Sequence, residues 1–410
     1  MQAIEQRAGD QPVTPRAALD DVTGALAAWV EVDLDAIAHN ARAVRRHIGA
    51  ETIFYAVVKA NAYGCGAVAC ARTLLEAGAD RLAVTHVVEG RELRRHGIEA
   101  PILVMGPTLP GEMDALVAAD LTPAISTVEA AEALRQAVQA QSKANYPVQI
   151  KVETGLGRTG VTPEQAPSLV QAILVMEELV IEGAFTHLAT AATGDPAWVH
   201  HQARQFEQAL RAMEAAGAVL PIVHLANSAA TLAYPEYRWT AVRVGTLLYG
   251  QSPLAGGSAM IDVRDPWRLK ARIAHVADVP AGHGVGYGRA FVTSRPTTVA
   301  VVPVGYVDGW QLEPVSVPVG IIDLLKVLAK QALAFFGYGP GRRRVRVGDQ
   351  ERPVLGKVAM QFTMIDVTGM DVCIGDPVEL PARRTVIRPD LPRVWVASGA
   401  AEQQEKRDER

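Results

Sequence analysis

Residues 55–66 read YAVVKANAYGCG, and Lys59 is the residue on which the reading turns. It closes a run of apolar β-formers and opens into a turn of small residues. That pattern places it where a buried strand ends and a loop begins, with its amine emerging from an apolar floor. Desolvation lowers an amine's pKa and frees its lone pair for imine chemistry with an aldehyde. Most lysines are solvated surface residues that stay protonated, so the rest of the chain has to decide between the two.

Outward from this stretch, strand-like runs alternate with helical runs. They fall at residues 53–60, 81–87, 102–106, 122–126, 148–153, 180–187, 222–226 and 241–248. Helical periodicity marks residues 34–47, 67–77, 127–141, 163–176 and 197–216. Eight alternations predict a (β/α)8 TIM-type barrel over residues 34–252. An open doubly wound sheet is the competing arrangement, but its usual Gly-rich phosphate fingerprint is missing. From Pro253 the helical period gives way to short β-like runs between Gly and Pro turns, which predicts a mainly β domain over residues 253–398. The fold class is therefore α/β, an N-terminal barrel followed by a β C-terminal domain.

Residues 1–27 read as a disordered or loose tail, 28–33 (AWVEVD) as a short strand, and 399–410 as a charged tail. Inside the β domain, IIDLLKVLAKQALAFF (321–336) predicts an inserted helix over about 318–337. Asp323, Lys326 and Lys330 share one stripe of it, and it is too short to span a bilayer. Its other faces are apolar enough to require cover, from its own domain or across a subunit contact.

With 410 residues, 49% hydrophobic, 20% charged and a net charge of −4, the composition is that of a folded soluble protein. It carries no electrostatic footprint for nucleic acid or for an anionic membrane. Cys65, Cys70 and Cys373 form neither disulfide nor metal spacing, so no metal is expected. Without a signal-peptide pattern at the N-terminus, a reducing, cytoplasmic location is expected.

Functional groups of a (β/α)8 barrel gather at the C-terminal ends of its strands. Lys59 and Tyr63 follow the first strand. Lys151, Glu153 and the GLGRTG loop with Arg158 follow the fifth, and His187 ends the sixth. His224, Asn227 and Ser228 lie at the end of the seventh, Arg243 and Gly245 on the eighth. Each has an ordinary alternative: the histidines as satisfied core residues, Arg158 as an ion-pair partner, Ser228 as the cap of the following helix. Together, an imine-forming lysine, a glycine and serine phosphate cradle and an arginine between them point to pyridoxal phosphate.

Seven segments in order, YAVVKANAYGCG, KVETGLGRTG, HLANSAA, VRVGTLLYG, GVGYGRAF, VPVGYVDGW and VLGKVAMQFTMIDVT, resemble the successive motifs of the alanine racemase family. The resemblance runs from about residue 29 to 368. It implies a barrel and β domain, with strand 28–33 packed into the latter, and a head-to-tail homodimer whose active sites are shared. It makes Lys59 the cofactor-bearing base and Tyr287 the opposite base, delivered by the partner. It places Arg243 at the pyridine nitrogen, and assigns the phosphate to Tyr63, Ser228, Gly245 and Thr246, with Asn227 beside them. Arg158, Tyr306 and Met360 would face the amino-acid substrate, and His187 would support Tyr287.

The chain also departs from the family pattern. Met360-Gln361 stands where Met-Asp is usual, the stretch between Asp308 and Gly356 holds an insertion, and a segment after Asp376 that supplies a second active-site tyrosine is missing. Cys65 replaces a common histidine. The inserted helix is expected to replace part of the missing segment at the entrance or dimer interface. The leading expectation is racemisation of alanine. The alternatives are a racemase of other or several amino acids, a decarboxylase of the same architecture, and a degenerate pyridoxal-phosphate-binding protein.

Overall fold

The barrel strands are apolar on both faces, as parallel strands covered by helices require. A computed structural model describes residues 13–254, 260–312, 320–335 and 344–398. In it Thr122–Ile125, Ala241–Val244 and Ile102–Val104 are buried at every position. The eight parallel strands run Ala241–Val244, Ile53–Val57, Arg81–Val84, Ile102–Val104, Thr122–Ile125, Tyr146–Lys151, Leu179–Phe185 and Ile222–His224 in spatial order. The last and first approach closure through Arg243 N–H to the Ala226 carbonyl at 2.9 Å. Thr240 helps on the same seam, its Oγ1 accepting from Val223 N–H at 2.7 Å. The expected eight-stranded barrel is thus present and nearly closed.

Local signals start and stop the helices. Asp33 Oδ1 caps Leu34–Ile48 by accepting from Ala36 N–H at 3.0 Å, and Arg45, Arg46 and His47 occupy its last turn. Thr127 caps Val128–Ala140, and Asp195 caps Pro196–Ala215, which has proline in its first turn. Tyr55, Val57, Leu103, Phe185 and Ile222 pack together within the barrel.

The chain divides into two compact units: Asp33–Pro266, and the segment ending at Val32 together with everything from Trp267 onward. The second unit is a ten-stranded sheet. In spatial order it runs Thr14–Pro15, Arg393–Ala397, Ala28–Asp33, Trp267–Arg272, Pro377–Leu380, Arg344–Val347, Gln350–Leu355, Thr363–Asp366, Thr297–Val302, His275–Val279. Ala28–Asp33 pairs antiparallel with Trp267–Arg272, Val30 opposite Leu269. Two separate strands, Trp267–Arg272 and His275–Val279, open this part of the chain.

One reading changes. Part of the supposed tail is ordered: Thr14–Pro15 pairs with Val396 and Ala397, and Leu19–Thr23 is a short helix. Thr23 anchors it, because Thr23 Oγ1 and its carbonyl both accept from Arg272. Residues 1–12 and 399–410 lie outside the described residues. The inserted helix exists as Ile321–Phe335, and its described side chains are exposed. Ile321 is 77% exposed, and Leu325, Leu328 and Leu333 are exposed as well. No helix among the described residues is long and apolar enough to cross a membrane.

Candidate active site

Lys59 opens a strained turn. Ala60, Asn61, Ala62 and Tyr63 have φ of 51°, 53°, 53° and 54°, one turn of left-handed helix made of residues that all carry a Cβ. That conformation costs roughly 1–2 kcal/mol per residue and persists only where its surroundings fix it. Glu89 supplies much of the fixing. Its Oε1 accepts from Ala60 N–H at 2.6 Å, and its Oε2 from Thr85 N–H at 2.8 Å and His86 N–H at 3.0 Å. Asn61 Oδ1 accepts from Ala67 N–H at 2.7 Å, and Gly64, φ 87°, ends the turn. The result is that Lys59 and Tyr63, four residues apart, line the same cavity. Glu89→Ala is expected to lower stability by about 1–3 kcal/mol through lost backbone partners and to weaken ligand binding at Lys59. Urea unfolding and ligand titration check this, and unchanged values in both would show the clamp to be dispensable.

That cavity, about 220 Å³, sits at the C-terminal ends of the strands and is lined by Lys59, Tyr63, His187, Asn227, Ser228, Arg243, Gly245 and Thr246, among others. An adjoining cavity of about 170 Å³ shares Lys59, Met105 and His187 and adds Lys151 and Arg158. Of the barrel residues singled out in the sequence, all but Glu153 and His224 line one of these two cavities.

One wall brings Ser228, Gly245 and Tyr63 together. Ser228 Oγ accepts from Gly245 N–H at 2.9 Å. A Cβ at Gly245 would lie 2.3 Å from Tyr63 Oη, so only glycine allows the tyrosine to approach. The Tyr63 ring packs on Tyr249 with centroids 4.8 Å apart, and Tyr249 Oη donates to the Val57 carbonyl. Burial pushes Tyr63 up to about 12, so it remains a hydroxyl donor at neutral pH. The capping role weighed for Ser228 belongs to Asn227, whose Oδ1 accepts from Ala229 and Ala230 N–H, both at 3.1 Å. Asn227 thus lines the cavity with its side-chain oxygen already engaged.

Arg243 forms the floor, 3% exposed. Its Nη1 donates to His224 Nδ1 at 2.6 Å and to the His224 carbonyl at 3.2 Å. Its Nη2 donates to the Thr186 carbonyl at 2.8 Å and to His187 Nδ1 at 3.3 Å. His187 is neutral. Burial, followed by the charges of Arg243, Arg158 and Lys59, holds its pKa down at about 3. The same causes lower Lys59, burial first and then Arg158, with Arg243 adding and Glu89 opposing. Lys151 is brought to about 8, and its Nζ donates to the Met105 carbonyl at 2.8 Å. Glu153 shapes the Arg158 loop, accepting from the backbone N–H of Gly155, Leu156 and Arg158. A desolvated amine thus shares its cavity with Tyr63, Ser228, Gly245 and the buried Arg243.

Tyr287, Tyr306 and Met360 belong to the second unit. Tyr287 starts a turn between the strands Gly284–Val285 and Phe291–Val292 and is 76% exposed. Tyr306 and Met360 lie on adjoining loops, with Tyr306 N–H donating to the Ala359 carbonyl and Val307 N–H to the Met360 carbonyl, both at 3.1 Å. Glu89, Tyr249 and Met105 were not singled out from the sequence. Tyr249 lay inside a quoted motif, while Glu89 is separated from the turn it secures by a whole strand.

The alanine racemase N-terminal domain profile matches residues 32–253, and the C-terminal domain profile matches residues 267–391. The chain belongs to the alanine racemase family. An alanine racemase of Nostoc sp. is 36% identical over 356 residues, 86% of each chain. One from Symbiobacterium thermophilum is 36% identical over 365 residues, 89% of this chain and 90% of that one. Among solved structures, the alanine racemase of Clostridium difficile superposes with a TM-score of 0.80 at 26% identity, covering 91% of this chain and 96% of that one. The enzyme from D-cycloserine-producing Streptomyces lavendulae gives 0.78 at 31% identity, covering 92% and 98%. Family membership and the barrel-plus-sheet architecture therefore agree, and the chain is an enzyme of the racemase class.

Proposed function

We propose that the chain interconverts L- and D-alanine with pyridoxal phosphate as cofactor and Lys59 and Tyr287 as bases on opposite faces, supplying D-alanine for cell-wall precursors in the cytoplasm. The observation that carries this reading is the convergence on one cavity of a desolvated lysine, a phosphate-sized cradle and a buried arginine with neutral histidine partners.

The residues present fit the cofactor. The Tyr63 hydroxyl, Ser228 and the backbone at Gly245 and Thr246 would hold its phosphate in space that a Cβ at position 245 would invade. Arg243 would face its ring nitrogen, Arg158 its phenolate oxygen, and Lys59 Nζ its aldehyde carbon. When bound, the cofactor supplies an electron sink for the charge left at Cα after proton removal.

The protein supplies the proton transfers. Racemisation removes a proton from one face of Cα and returns one to the other, which requires two bases. Lysine and tyrosine are poor bases at their ordinary pKa values of about 10. Burial and Arg158 lower Lys59 and so enlarge the fraction with a free lone pair at neutral pH. Tyr287 would bring its hydroxyl from the second unit of the partner in a head-to-tail homodimer, and its exposure of 76% leaves that hydroxyl presentable. His187 accepts from Arg243 at Nδ1, so its proton sits on Nε2 and can be donated to Tyr287. Arg243, at about 10, keeps its own proton at neutral pH. A guanidinium that does not give up its proton leaves the ring nitrogen unprotonated and the sink weak, which restrains side reactions such as transamination and decarboxylation.

Gln361 favours a second reading, racemisation of another small amino acid, because a neutral amide replaces the usual carboxylate beside Met360. Chiral chromatography of an amino-acid panel incubated with protein and pyridoxal phosphate separates these outcomes. Inversion of alanine fastest supports the proposal, and a different preferred substrate supports the second reading. Cofactor binding without inversion of any amino acid would overturn both.

A further inference from the structure

Several buried polar groups that no proton transfer requires are linked into one chain through the barrel. Arg243 Nη1 donates to His224 Nδ1 at 2.6 Å, and His224 Nε2 lies 2.7 Å from Gln149 Oε1. Gln149 Nε2 donates to Glu182 Oε1 at 2.7 Å and to Tyr55 Oη at 2.9 Å. Glu182 is paired with Arg81 at 3.1 Å. Gln149 and His224 are 0% exposed, and the rings of Tyr55 and Phe185 both stack on the imidazole, each with its centroid 5.0 Å away.

The direction of every link is forced. A guanidinium has donors and no acceptor, so His224 Nδ1 carries the lone pair and Nε2 carries the proton. That proton needs an acceptor, which fixes Oε1 of the Gln149 amide toward His224. The amide nitrogen then faces Glu182, whose carboxylate can only accept. The chain therefore runs one way, from a buried cation at the cofactor end to an anion beyond the barrel core. Among the described residues Arg243 has no carboxylate partner of its own. Hydrogen bonds in series polarise one another in a low-dielectric interior, and this series links Arg243 to the Glu182 carboxylate that pairs with Arg81.

We propose that Gln149 and Glu182 are positioning residues for the cofactor end of the site: they lock the His224 tautomer, and His224 in turn locks the Arg243 guanidinium. Both N–H groups of Nη1 and both of Nη2 are engaged by His224, Thr186 and His187, which leaves Nε–H for the ring nitrogen. The proposal rests on the reading that pyridoxal phosphate binds with that nitrogen toward Arg243.

The test uses full-length protein carrying Gln149→Leu or Glu182→Gln, with Ile150→Val as a control for packing on the same strand. Two quantities are read: pyridoxal phosphate affinity by titration of the apoprotein, and the pH dependence of the bound cofactor's visible spectrum. Gln149→Leu is expected to lower affinity roughly tenfold, about the worth of one hydrogen bond, and to displace the spectral titration. Glu182→Gln is expected to move both in the same direction by less, and Ile150→Val neither. If Gln149→Leu fails to fold, Glu182→Gln carries the test alone. Wild-type affinity and spectra in the folded relay variants would overturn the proposal. Wild-type protein that binds no pyridoxal phosphate would instead overturn the cofactor reading beneath it.

Discussion

Lys59→Ala protein is expected to hold pyridoxal phosphate only by non-covalent contacts and to lose racemase activity by roughly four orders of magnitude, the upper range for removing a positioned acid–base group. On the proposed mechanism the variant removes the covalent anchor and one of the two bases together, and leaves Tyr63, Ser228 and Gly245 to hold the phosphate. Its spectrum should be that of the free aldehyde, and an added small amine should restore part of the activity. The pH dependence follows from the same residue. On the proposed mechanism the neutral amine is the base, so the rate should rise as pH climbs through the pKa of Lys59. Burial and Arg158 place that pKa below the ordinary lysine value. Arg158→Leu removes one cation and should shift this limb of the profile to higher pH. A profile unmoved by Arg158→Leu would mean that Arg158 does not help to set the amine.

Gly245→Ala is expected to weaken pyridoxal phosphate binding by on the order of tenfold to a hundredfold, comparable with the loss of one or two hydrogen bonds. The backbone does not forbid alanine here, since Gly245 has φ −124°. The obstacle is space: the new methyl would stand 2.3 Å from Tyr63 Oη, on a ring already packed against Tyr249. Tyr63 must retreat, and the hydroxyl leaves the cradle. Tyr63→Phe combined with Gly245→Ala discriminates this mechanism from a general loosening. Once the hydroxyl is gone, adding the methyl should cost much less than it does in the parent protein. Additive losses would contradict the steric explanation.

The barrel was legible because its eight strands are short apolar runs separated by helical periods, and parallel strands buried on both faces leave that imprint. The residues at the strand ends followed from the barrel itself, which is why Lys59, Tyr63, His187, Ser228 and Arg243 could be grouped from the sequence alone. Glu89 and Gln149 could not be found that way. Glu89 acts on a turn twenty-nine positions earlier, and its sequence context is an ordinary helix start. Gln149 sits one layer inside the barrel, where a glutamine in a strand gives no sign of which partners it meets. The neutrality of His187 was equally hidden, because it depends on burial and on cations contributed by different strands. The order in residues 13–27 was missed for a related reason: Thr14 and Pro15 gain their pairing only from Val396 and Ala397, at the far end of the chain.

The measurement that tests the two-base account most directly is proton NMR of Cα exchange in deuterium oxide, run separately on L- and D-alanine with wild-type protein and Tyr287→Phe. In the wild type both enantiomers should lose their α-proton, and each product should carry solvent deuterium. With Tyr287→Phe, exchange from L-alanine should collapse while D-alanine still exchanges without inversion, because on this account Lys59 serves the D face alone. Undiminished inversion of L-alanine by Tyr287→Phe would contradict the account and assign the second proton transfer to another group.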